Sequence, residues 1–272
     1  MKTVHRVLDP NKPASIPGNL CALAVMTKAP RAGEVKTRLV PPLSHDEAAQ
    51  LNRAFLRDIC AVISAACWRG PESTRDRIRV ARGVGVYTPL GTESAYENVL
   101  SDDFFLIPQR GDHFGDRLNF SAEDLFKVGF DSVCLINSDS PTVPAEVFAQ
   151  AVELLGLRGD RIVLGPSDDG GYYLIGLKEP HPEMFERIDW STERVFDQTL
   201  ARATELGVEV KLLPTGYDVD DHATLQQLCS ELLGENSRDG VAPNTRKVLR
   251  EIIEREGRAG IWPGAAPRSG GP

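Results

Sequence analysis

Short apolar segments alternate with helical patterns along most of this chain, and this alternation constrains the fold more than any other feature. The segments at 20–26, 132–136, 161–165 and 172–177 are apolar enough to be strands buried on both faces. Helical patterns of sufficient length to connect parallel strands lie between most of them. The pattern therefore predicts an α/β fold with a mainly parallel central sheet and helices on both faces.

The predicted elements place one domain at 19–256, after an irregular arm at 1–18 and before a flexible tail at 257–272 rich in Gly, Pro and Ala. Ser44, with Glu47 three residues later, forms a capping box that predicts where the first long helix begins. Residues 70–76 are predicted to form a turn. Further strands are predicted at 78–88, 103–108 and 208–213, and further helices at 93–100, up to 128, from 144, and at 192–206, 222–233 and 245–255.

Composition excludes several classes of protein. The 272 residues carry a formal net charge of -8, which argues against a general nucleic-acid binder with a broad basic face. No apolar run approaches the roughly 18 residues that a membrane span needs, and residues 1–18 do not resemble a signal peptide. The five cysteines are scattered without a CxxC pair, which is typical of core residues in a reducing compartment. We therefore expect a cytoplasmic protein.

The stretch at 27–39 is a local basic cluster in an acidic protein, and it lies between a predicted strand and a predicted helix. Its charged residues are Lys28, Arg31, Lys36 and Arg38, with Glu34 as the single acid. Such a cluster near the start of a helix favours a binding surface for a small anion such as phosphate. The alternative is an exposed turn whose charges are simply solvated. We call residues 27–39 the basic loop.

Acidic residues follow other predicted strands. Because ligands of open α/β sheets bind outside the carboxyl ends of the strands, these loops should meet the basic loop on one rim. Carboxylates in such a place suit Mg²⁺ or Mn²⁺, with Asp139 and either Asp218 or Asp220 as the first candidates. The alternative for any one aspartate is a turn or helix cap.

The stretch at 168–172 allows two interpretations. Gly170 and Gly171 either let the backbone approach a nucleotide or sugar closely or form a tight turn. Tyr172 either stacks on a ligand ring or belongs to the core. The motifs GxGxxG, GxxxxGK[ST] and GxSxG are absent, which excludes the ordinary dinucleotide site, the P-loop and the nucleophile elbow.

Five motifs in order, spread over about 19–233, resemble one bacterial family of nucleotide-diphospho-sugar-transferase-like proteins with a GT-A fold. They are Thr-Lys-Ala-Pro-x-x-Gly-x-Val-Lys-Thr-Arg-Leu at 27–39, Gln-x-Gly-Asp-x-x-Gly-x-Arg at 109–117, Asp-Ser-Pro at 139–141, Asp-Asp-Gly-Gly-Tyr-Tyr-Leu-Ile-Gly at 168–176 and Tyr-Asp-Val-Asp at 217–220. The basic loop is also distantly similar to that of 2-phospholactate guanylyltransferase and molybdenum-cofactor guanylyltransferases. The resemblance implies a three-layer, Rossmann-like GT-A fold.

The resemblance also implies roles for individual residues. Implied contacts to nucleotide and phosphate come from Thr27, Lys28, Arg31, Gly33, Lys36, Arg38, Gln109 and Gly111. Implied substrate contacts come from Asp168, Gly170, Gly171 and Tyr172. The implied metal ligands are Asp139 and either Asp218 or Asp220. We expect Lys28, Lys36, Asp139 and Asp169 to be the catalytic residues. One departure is Asn137-Ser138-Asp139, which stands where relatives of the fold carry Asp-x-Asp.

The sequence thus predicts a Mg²⁺- or Mn²⁺-dependent transferase that uses a nucleotide and a small-molecule acceptor. Four cations in one loop favour a triphosphate, and hence transfer of a nucleotidyl group with release of pyrophosphate. The alternative is transfer of a sugar from a nucleotide-sugar, with Asp168 or Asp169 as the base for the acceptor hydroxyl. A third possibility is a nucleotide-sugar binding protein without catalytic activity.

Overall fold

A computed structural model describes residues 4–12, 16–69, 78–235 and 237–257 of the chain. The predicted turn at 70–76 and the predicted tail beyond Gly257 lie outside the described residues, as do 1–3 and 13–15 of the predicted arm. The rest of the arm is not wholly irregular, because Arg6–Val7 forms a short strand at the edge of the sheet.

Strands and helices alternate along the chain as the sequence predicts. The strands are β1 (Arg6–Val7), β2 (Cys21–Lys28), β3 (Trp68–Arg69), β4 (Ile78–Arg79), β5 (Ala81–Thr88), β6 (Phe105–Pro108), β7 (Ser132–Ile136), β8 (Arg161–Pro166), β9 (Tyr172–Leu177) and β10 (Glu209–Leu212). The α-helices are α1 (His45–Ala66), α2 (Phe114–Lys127), α3 (Ala145–Gly156), α4 (Val195–Leu206), α5 (His222–Leu233) and α6 (Pro243–Glu256). Short 3₁₀ helices lie at Thr37–Leu39, Glu93–Tyr96 and Pro182–Phe185.

Eight strands form the central sheet in the order β1-β6-β5-β2-β7-β9-β8-β10. Every pairing is parallel except those of β9 with its neighbours β7 and β8. The loop at 167–171 between β8 and β9 is short enough for an antiparallel connection, which needs no crossover helix. The predicted mainly parallel sheet is confirmed, and β9 alone is reversed among the strands that the structure describes.

Helices cover both faces of the sheet. Successive side chains of β2 point to opposite faces, so Leu23 and Val25 belong to one buried cluster while Ala22 and Ala24 belong to another. The first cluster includes residues of α1 and α3, and the second includes residues of α2 and α4. The three-layer α/β architecture predicted from the sequence is therefore confirmed.

The predicted capping box fixes the start of α1. The Ser44 side chain accepts a hydrogen bond from the Glu47 backbone N–H, and the Glu47 carboxylate accepts one from the Ser44 N–H at 2.8 Å. Both bonds satisfy backbone donors that have no partner within the helix. The helix that follows the basic loop therefore begins at a fixed position.

All five cysteines are free and buried, as expected for core residues. Over 4–12, 16–69, 78–235 and 237–257, no helix combines the length and the apolar character that crossing a bilayer requires.

Helix α6 depends on a carboxylate from α1 for its first turn. Its N-cap Ala242 supplies no side-chain hydrogen bond. The buried Asp58 instead accepts hydrogen bonds from the backbone N–H groups of Asn244 at 3.0 Å and Thr245 at 2.7 Å. Asp58 thus acts as an N-cap supplied by another helix, and it joins α6 to α1.

We predict that Asp58→Ala lowers the free energy of unfolding by about 2–3 kcal/mol, because one buried and one partly buried N–H donor lose a charged partner. Urea denaturation at neutral pH measures the loss. Glu179→Ala, at an exposed loop position, serves as the control and should change stability by less than about 0.5 kcal/mol. Equal, small changes in both variants would contradict the cap.

Candidate functional site

Lys36 lies at the centre of the rim formed by the carboxyl ends of the strands. Its Nζ donates to Asp139 Oδ1 at 2.7 Å, to Asp220 Oδ1 at 3.0 Å and to the carbonyl oxygen of Val219 at 2.7 Å. These acceptors use all three donors of the ammonium group. One side chain therefore connects the basic loop with the loop after β7 and the loop before α5.

The ammonium group of Lys36 is buried, and two neighbouring carboxylates offset the cost of burying its charge. Only 4% of its side chain is exposed. Burial lowers the pKa of Lys36, but the carboxylates of Asp139 and Asp220 outweigh it and raise the pKa above its ordinary value. Lys36 is consequently a fixed positive charge at neutral pH. Its backbone φ of 51° is left-handed, which turns the chain sharply before the helix at Thr37–Leu39.

Negative charge accumulates beside Lys36. Burial raises the pKa of Asp218 to about 6, and the carboxylates of Asp169, Asp220 and Asp139 add to the shift. The Ser167 hydroxyl donates to Asp218 Oδ1 at 3.1 Å and partly offsets it. The raised pKa of Asp218 thus reflects first the cost of burying an ionised carboxylate and second the repulsion from neighbouring carboxylates.

The chemistry of this cluster fits a divalent cation. Carboxylate oxygens are the ligands that Mg²⁺ and Mn²⁺ prefer, and a cation would relieve the repulsion around Asp218. In the part of the chain that the structure describes, however, no group of three or more His, Cys, Asp or Glu side chains is arranged to hold a metal by itself. The predicted ligands Asp139, Asp218 and Asp220 would therefore hold a metal together with oxygens of a bound phosphate.

The other cations of the basic loop are more exposed than Lys36. Lys28 lies 3.9 Å and Arg31 lies 4.0 Å from the carboxylate oxygens of Glu34. Arg38 lies 3.8 Å from Asp220 Oδ2, with 73% of its side chain exposed. Gly33 turns the loop with a φ of +76°. The basic loop thus offers one buried cation, in Lys36, and three solvent-exposed ones.

Two cavities meet at Lys36 and its partners Asp139 and Asp220, which we call the Lys36 cluster. A smaller cavity of about 260 Å³ is lined by Lys28, Lys36 and Arg38 among others. A larger cleft of about 430 Å³ extends on the other side. Four residues line both: Arg38, Ser138, Asp139 and Asp220. The predicted metal ligands Asp139 and Asp220 thus lie at the junction of the two cavities.

Three predicted nucleotide-binding residues make structural contacts instead of lining either cavity. The Gln109 amide donates to the carbonyl oxygens of Val86 at 2.7 Å and Thr27 at 3.2 Å, so it ties the ends of β2 and β5 together. Thr27 is buried. Gly111 has a φ of +108°, and an added Cβ would lie 2.9 Å from Asp116 Cβ. Neither cavity includes these three residues in its lining.

The predicted substrate-binding stretch divides between the cleft and the scaffold. Asp169, Gly171 and Tyr172 line the larger cleft, whereas Asp168 is exposed and outside its lining. The Asp169 carboxylate accepts a hydrogen bond from the Gly171 N–H at 2.9 Å. Gly170 packs against backbone, since an added Cβ would lie 2.2 Å from the carbonyl oxygen of Glu193. Of the two candidate bases, the structure brings only Asp169 into the cleft.

Sequence reasoning missed an aromatic wall of the cleft. Phe114 and Trp190 form an edge-to-face pair with ring centroids 5.2 Å apart, and both line the cleft. The signal available was weak: Phe114 fills a variable position of the motif at 109–117, and Trp190 stands alone in the loop before α4. Ser167, the hydrogen-bond partner of Asp218, was also missed.

Comparison with known proteins found similar sequences and folds. Residues 76–192 match a family described as "Uncharacterized protein conserved in bacteria (DUF2064)". A crystal structure from Desulfovibrio desulfuricans G20, described as a "putative nucleotide-diphospho-sugar transferase", is 28% identical. The similarity covers 89% of this chain and 99% of that one, with a TM-score of 0.73. The predicted resemblance to this class of transferases is confirmed.

More distant solved structures are also similar. A CMP:2-keto-3-deoxy-manno-octonic acid synthetase complexed with CTP is 11% identical, over 79% of this chain and 99% of that one, with a TM-score of 0.48. A glucosyl-3-phosphoglycerate synthase from Mycobacterium tuberculosis, in complex with Mn²⁺, UDP and glucosyl-3-phosphoglycerate, is 12% identical over 88% and 80%, with a TM-score of 0.45. No curated protein matches the sequence.

We predict that Lys36→Met destabilises the fold by about 2–3 kcal/mol, because Asp139 and Asp220 lose the cation between them while remaining partly buried. Lys28→Met removes the same charge from an exposed position of the same loop and should cost less than about 0.5 kcal/mol. Urea denaturation of both variants at neutral pH gives the comparison. A Lys36→Met variant as stable as Lys28→Met would show that the cluster contributes nothing to the fold.

We also predict a pH-dependent effect of Asp218→Asn. Because the folded-state pKa of Asp218 is raised to about 6 from 3.8, the folded chain binds more protons than the unfolded chain between these values. The wild type therefore loses stability from this group as the pH rises through that window, and Asp218→Asn does not. Asp218 is only partly buried, so screening by solvent limits the gain of the variant to about 1 kcal/mol at neutral pH.

Unfolding measured in EDTA across this pH range checks the prediction. Asp239→Asn, at a fully exposed carboxylate, is the control and should show no such pH-dependent difference from the wild type. A stability difference between Asp218→Asn and wild type that stays constant with pH would contradict the raised pKa.

Proposed function

We propose that this chain is a divalent-cation-dependent transferase that moves a nucleotidyl group from a nucleoside triphosphate to a small acceptor and releases pyrophosphate. The observation that carries the proposal is the Lys36 cluster at the junction of the two cavities. It combines a fixed ammonium group with two carboxylates, at the edge of the sheet where ligands of such folds bind. The likeness to the Desulfovibrio protein supports a nucleotide-using transferase in general.

The smaller cavity suits the phosphates of the nucleotide. Lys28, Lys36 and Arg38 line it, and each can neutralise phosphate oxygens. The exposed cations Lys28 and Arg38 are able to move toward a ligand, whereas Lys36 is held in place by its three acceptors. Three cations match the charge of a triphosphate better than that of a diphosphate.

Asp139, with Asp218 or Asp220, would hold Mg²⁺ or Mn²⁺ against the phosphate oxygens. When bound, such a cation stabilises the negative charge that develops on the leaving pyrophosphate. Lys36 would position the carboxylates of Asp139 and Asp220 for binding the cation, since it binds one oxygen of each.

Transfer itself needs mainly correct placement of the reactants. An oxygen of the acceptor, placed in the larger cleft, forms a bond to the α-phosphorus while the bond from that phosphorus to the bridging oxygen breaks. Pyrophosphate leaves with the electron pair of the broken bond. Where the attacking oxygen carries a proton, the Asp169 carboxylate in the cleft accepts it.

Glycosyl transfer is the second candidate, and the description of the Desulfovibrio protein favours it. In that reaction an acceptor hydroxyl would form a bond to the anomeric carbon of a nucleotide-sugar, and a nucleoside diphosphate would leave. Asp169 would again take the proton. The same cluster would then carry a diphosphate in place of a triphosphate.

Thermal unfolding with each nucleoside triphosphate and each common nucleotide-sugar, with and without Mg²⁺, tests the proposal. We expect one triphosphate to raise the midpoint only when Mg²⁺ is present, with about 2.7 kcal/mol of stabilisation at 100 times the dissociation constant. Asp139→Asn should lose this shift relative to its own ligand-free midpoint. Asp239→Asn, with an exposed carboxylate, should retain it.

The other outcomes separate the alternatives. A shift confined to a nucleotide-sugar would replace nucleotidyl transfer by glycosyl transfer. Mg²⁺-dependent binding with neither pyrophosphate nor nucleoside diphosphate released, over a broad set of acceptors, would favour a binding protein without catalytic activity. No shift with any nucleotide, in a well-folded sample, would overturn the proposed site.

A further inference from the structure

The part of the larger cleft away from Lys36 has an aromatic wall. Trp190 and Phe114 meet edge to face at an interplanar angle of 77°, and Met26 and Leu118 line the cleft with them. Phe114 is 53% exposed, which is unusual for a large apolar side chain at the start of a helix. An apolar surface of this kind, beside polar groups, is typical of a binding site for a small molecule.

The position of Trp190 is built into the fold. A Cβ on Gly115 would lie 2.6 Å from Trp190 Nε1 and 3.0 Å from the carbonyl oxygen of Phe185, so the indole fits only because residue 115 has no side chain. The next residue, Ser191, has a left-handed φ of 64°, and such a conformation at a residue other than glycine occurs where the surrounding structure imposes it. Trp190 is thus held in place before any ligand arrives.

The charges in the cleft select against an anionic occupant. Among the described residues that line it, Arg38 is the one Lys or Arg, and it stands at the junction with the smaller cavity. The acidic lining residues are Asp139, Asp169, Glu193, Asp218 and Asp220. Even if Asp139, Asp218 and Asp220 serve a bound cation, the carboxylates of Asp169 and Glu193 remain in the cleft without one. A phosphate or carboxylate there would face like charges without a compensating cation.

We propose that this part of the cleft is a subsite for an uncharged acceptor with a hydroxyl-bearing ring, a sugar or a cyclic polyol. One face of the ring lies on Trp190, because C–H groups carry partial positive charge and the face of an aromatic ring is negative. The ring hydroxyls donate hydrogen bonds to the carboxylates of Asp169 and Glu193. This assignment rests on the proposed function, in which the larger cleft receives the acceptor.

The polar lining matches hydroxyls better than it matches an organic cation. Besides the two carboxylates, Ser191 and Thr192 line the cleft with hydroxyl groups that both donate and accept. A sugar hydroxyl also does both, whereas an ammonium group only donates and a quaternary ammonium group does neither.

The transfer step then has defined partners. A ring hydroxyl oxygen bonds to the α-phosphorus of the triphosphate, pyrophosphate leaves with the electron pair of the broken phosphorus–oxygen bond, and the hydroxyl proton passes to Asp169. The product is a nucleoside monophosphate ester of the sugar or polyol.

Saturation-transfer NMR on the full chain, without nucleotide, tests the subsite directly. The probes are a set of neutral monosaccharides and myo-inositol, compared with D-glucose 6-phosphate, choline and adenosine at equal millimolar concentrations. We expect at least one neutral ring compound to bind, and the two charged probes and adenosine to bind more weakly. Trp190→Ala should weaken the binding of the neutral compound at least about tenfold, because the removed side chain is the central aromatic contact. Trp190→Phe should restore binding to within about threefold, since a ring face remains.

Leu157→Ala is the matched control, because Leu157 is also a partly exposed apolar side chain but lies at the end of α3, before β8, on the opposite edge of the sheet. It should bind the neutral compound as the wild type does. Thermal shifts with the triphosphate and Mg²⁺ should be alike in the wild type and all three variants, which shows that the variants are folded and that the nucleotide site is intact.

Four results would overturn the assignment: no binding by any neutral ring compound, tighter binding of the phosphorylated sugar, binding of choline or adenosine in their place, or neutral binding that Trp190→Ala leaves unchanged. The nucleotide measurement is independent of these. Trp190-dependent sugar binding without any nucleotide shift would remove the proposed function and keep the subsite. A nucleotide shift without Trp190-dependent sugar binding would contradict the subsite and leave the proposed function in place.

Discussion

The candidate site depends on the ion pairs that the ammonium group of Lys36 makes with two carboxylates. This group holds Asp139 and Asp220, which lie on separate loops, at 2.7 and 3.0 Å from a single nitrogen atom. Without this cation the carboxylates around Asp218 would repel one another in a partly buried place, as the raised pKa of Asp218 already indicates. The groups that balance charge within the fold are thus the same groups that are predicted to bind ligand.

The sheet order explains why these loops meet. β2 lies between β5 and β7 in the middle of the sheet, so the basic loop that leaves β2 adjoins the Asp139 loop that leaves β7. The bridge between Ser167 and Gly216 then brings the loop at 167–171 beside the loop that contains Asp218 and Asp220. Backbone pairing within the sheet, which is non-local in sequence, therefore determines the distances within the cluster.

Charge is distributed unevenly between the two cavities. Three cations and three carboxylates line the smaller cavity, whereas the larger cleft has five carboxylates, one arginine and the Phe114 and Trp190 rings among its described lining residues. The compartments share Asp139 and Asp220, so a group bound in one lies next to a group bound in the other. Two cavities with different linings can bind two different reactants side by side, as a transferase requires.

The sequence by itself determined the α/β class, the capping box of α1 and most element positions, because apolar periodicity and caps are local features. It also singled out Lys36, Asp139, Asp218 and Asp220 through their motifs, although their roles remain predictions. Only the tertiary structure decided that Lys36 is buried while Lys28 is exposed. It likewise decided that Asp169 and not Asp168 lines the cleft. The amide of Gln109 donates to backbone carbonyls, which the sequence did not indicate. The tertiary structure also brought Trp190 onto Gly115. These outcomes depend on contacts between segments far apart in the chain, and local sequence patterns carry no record of such contacts.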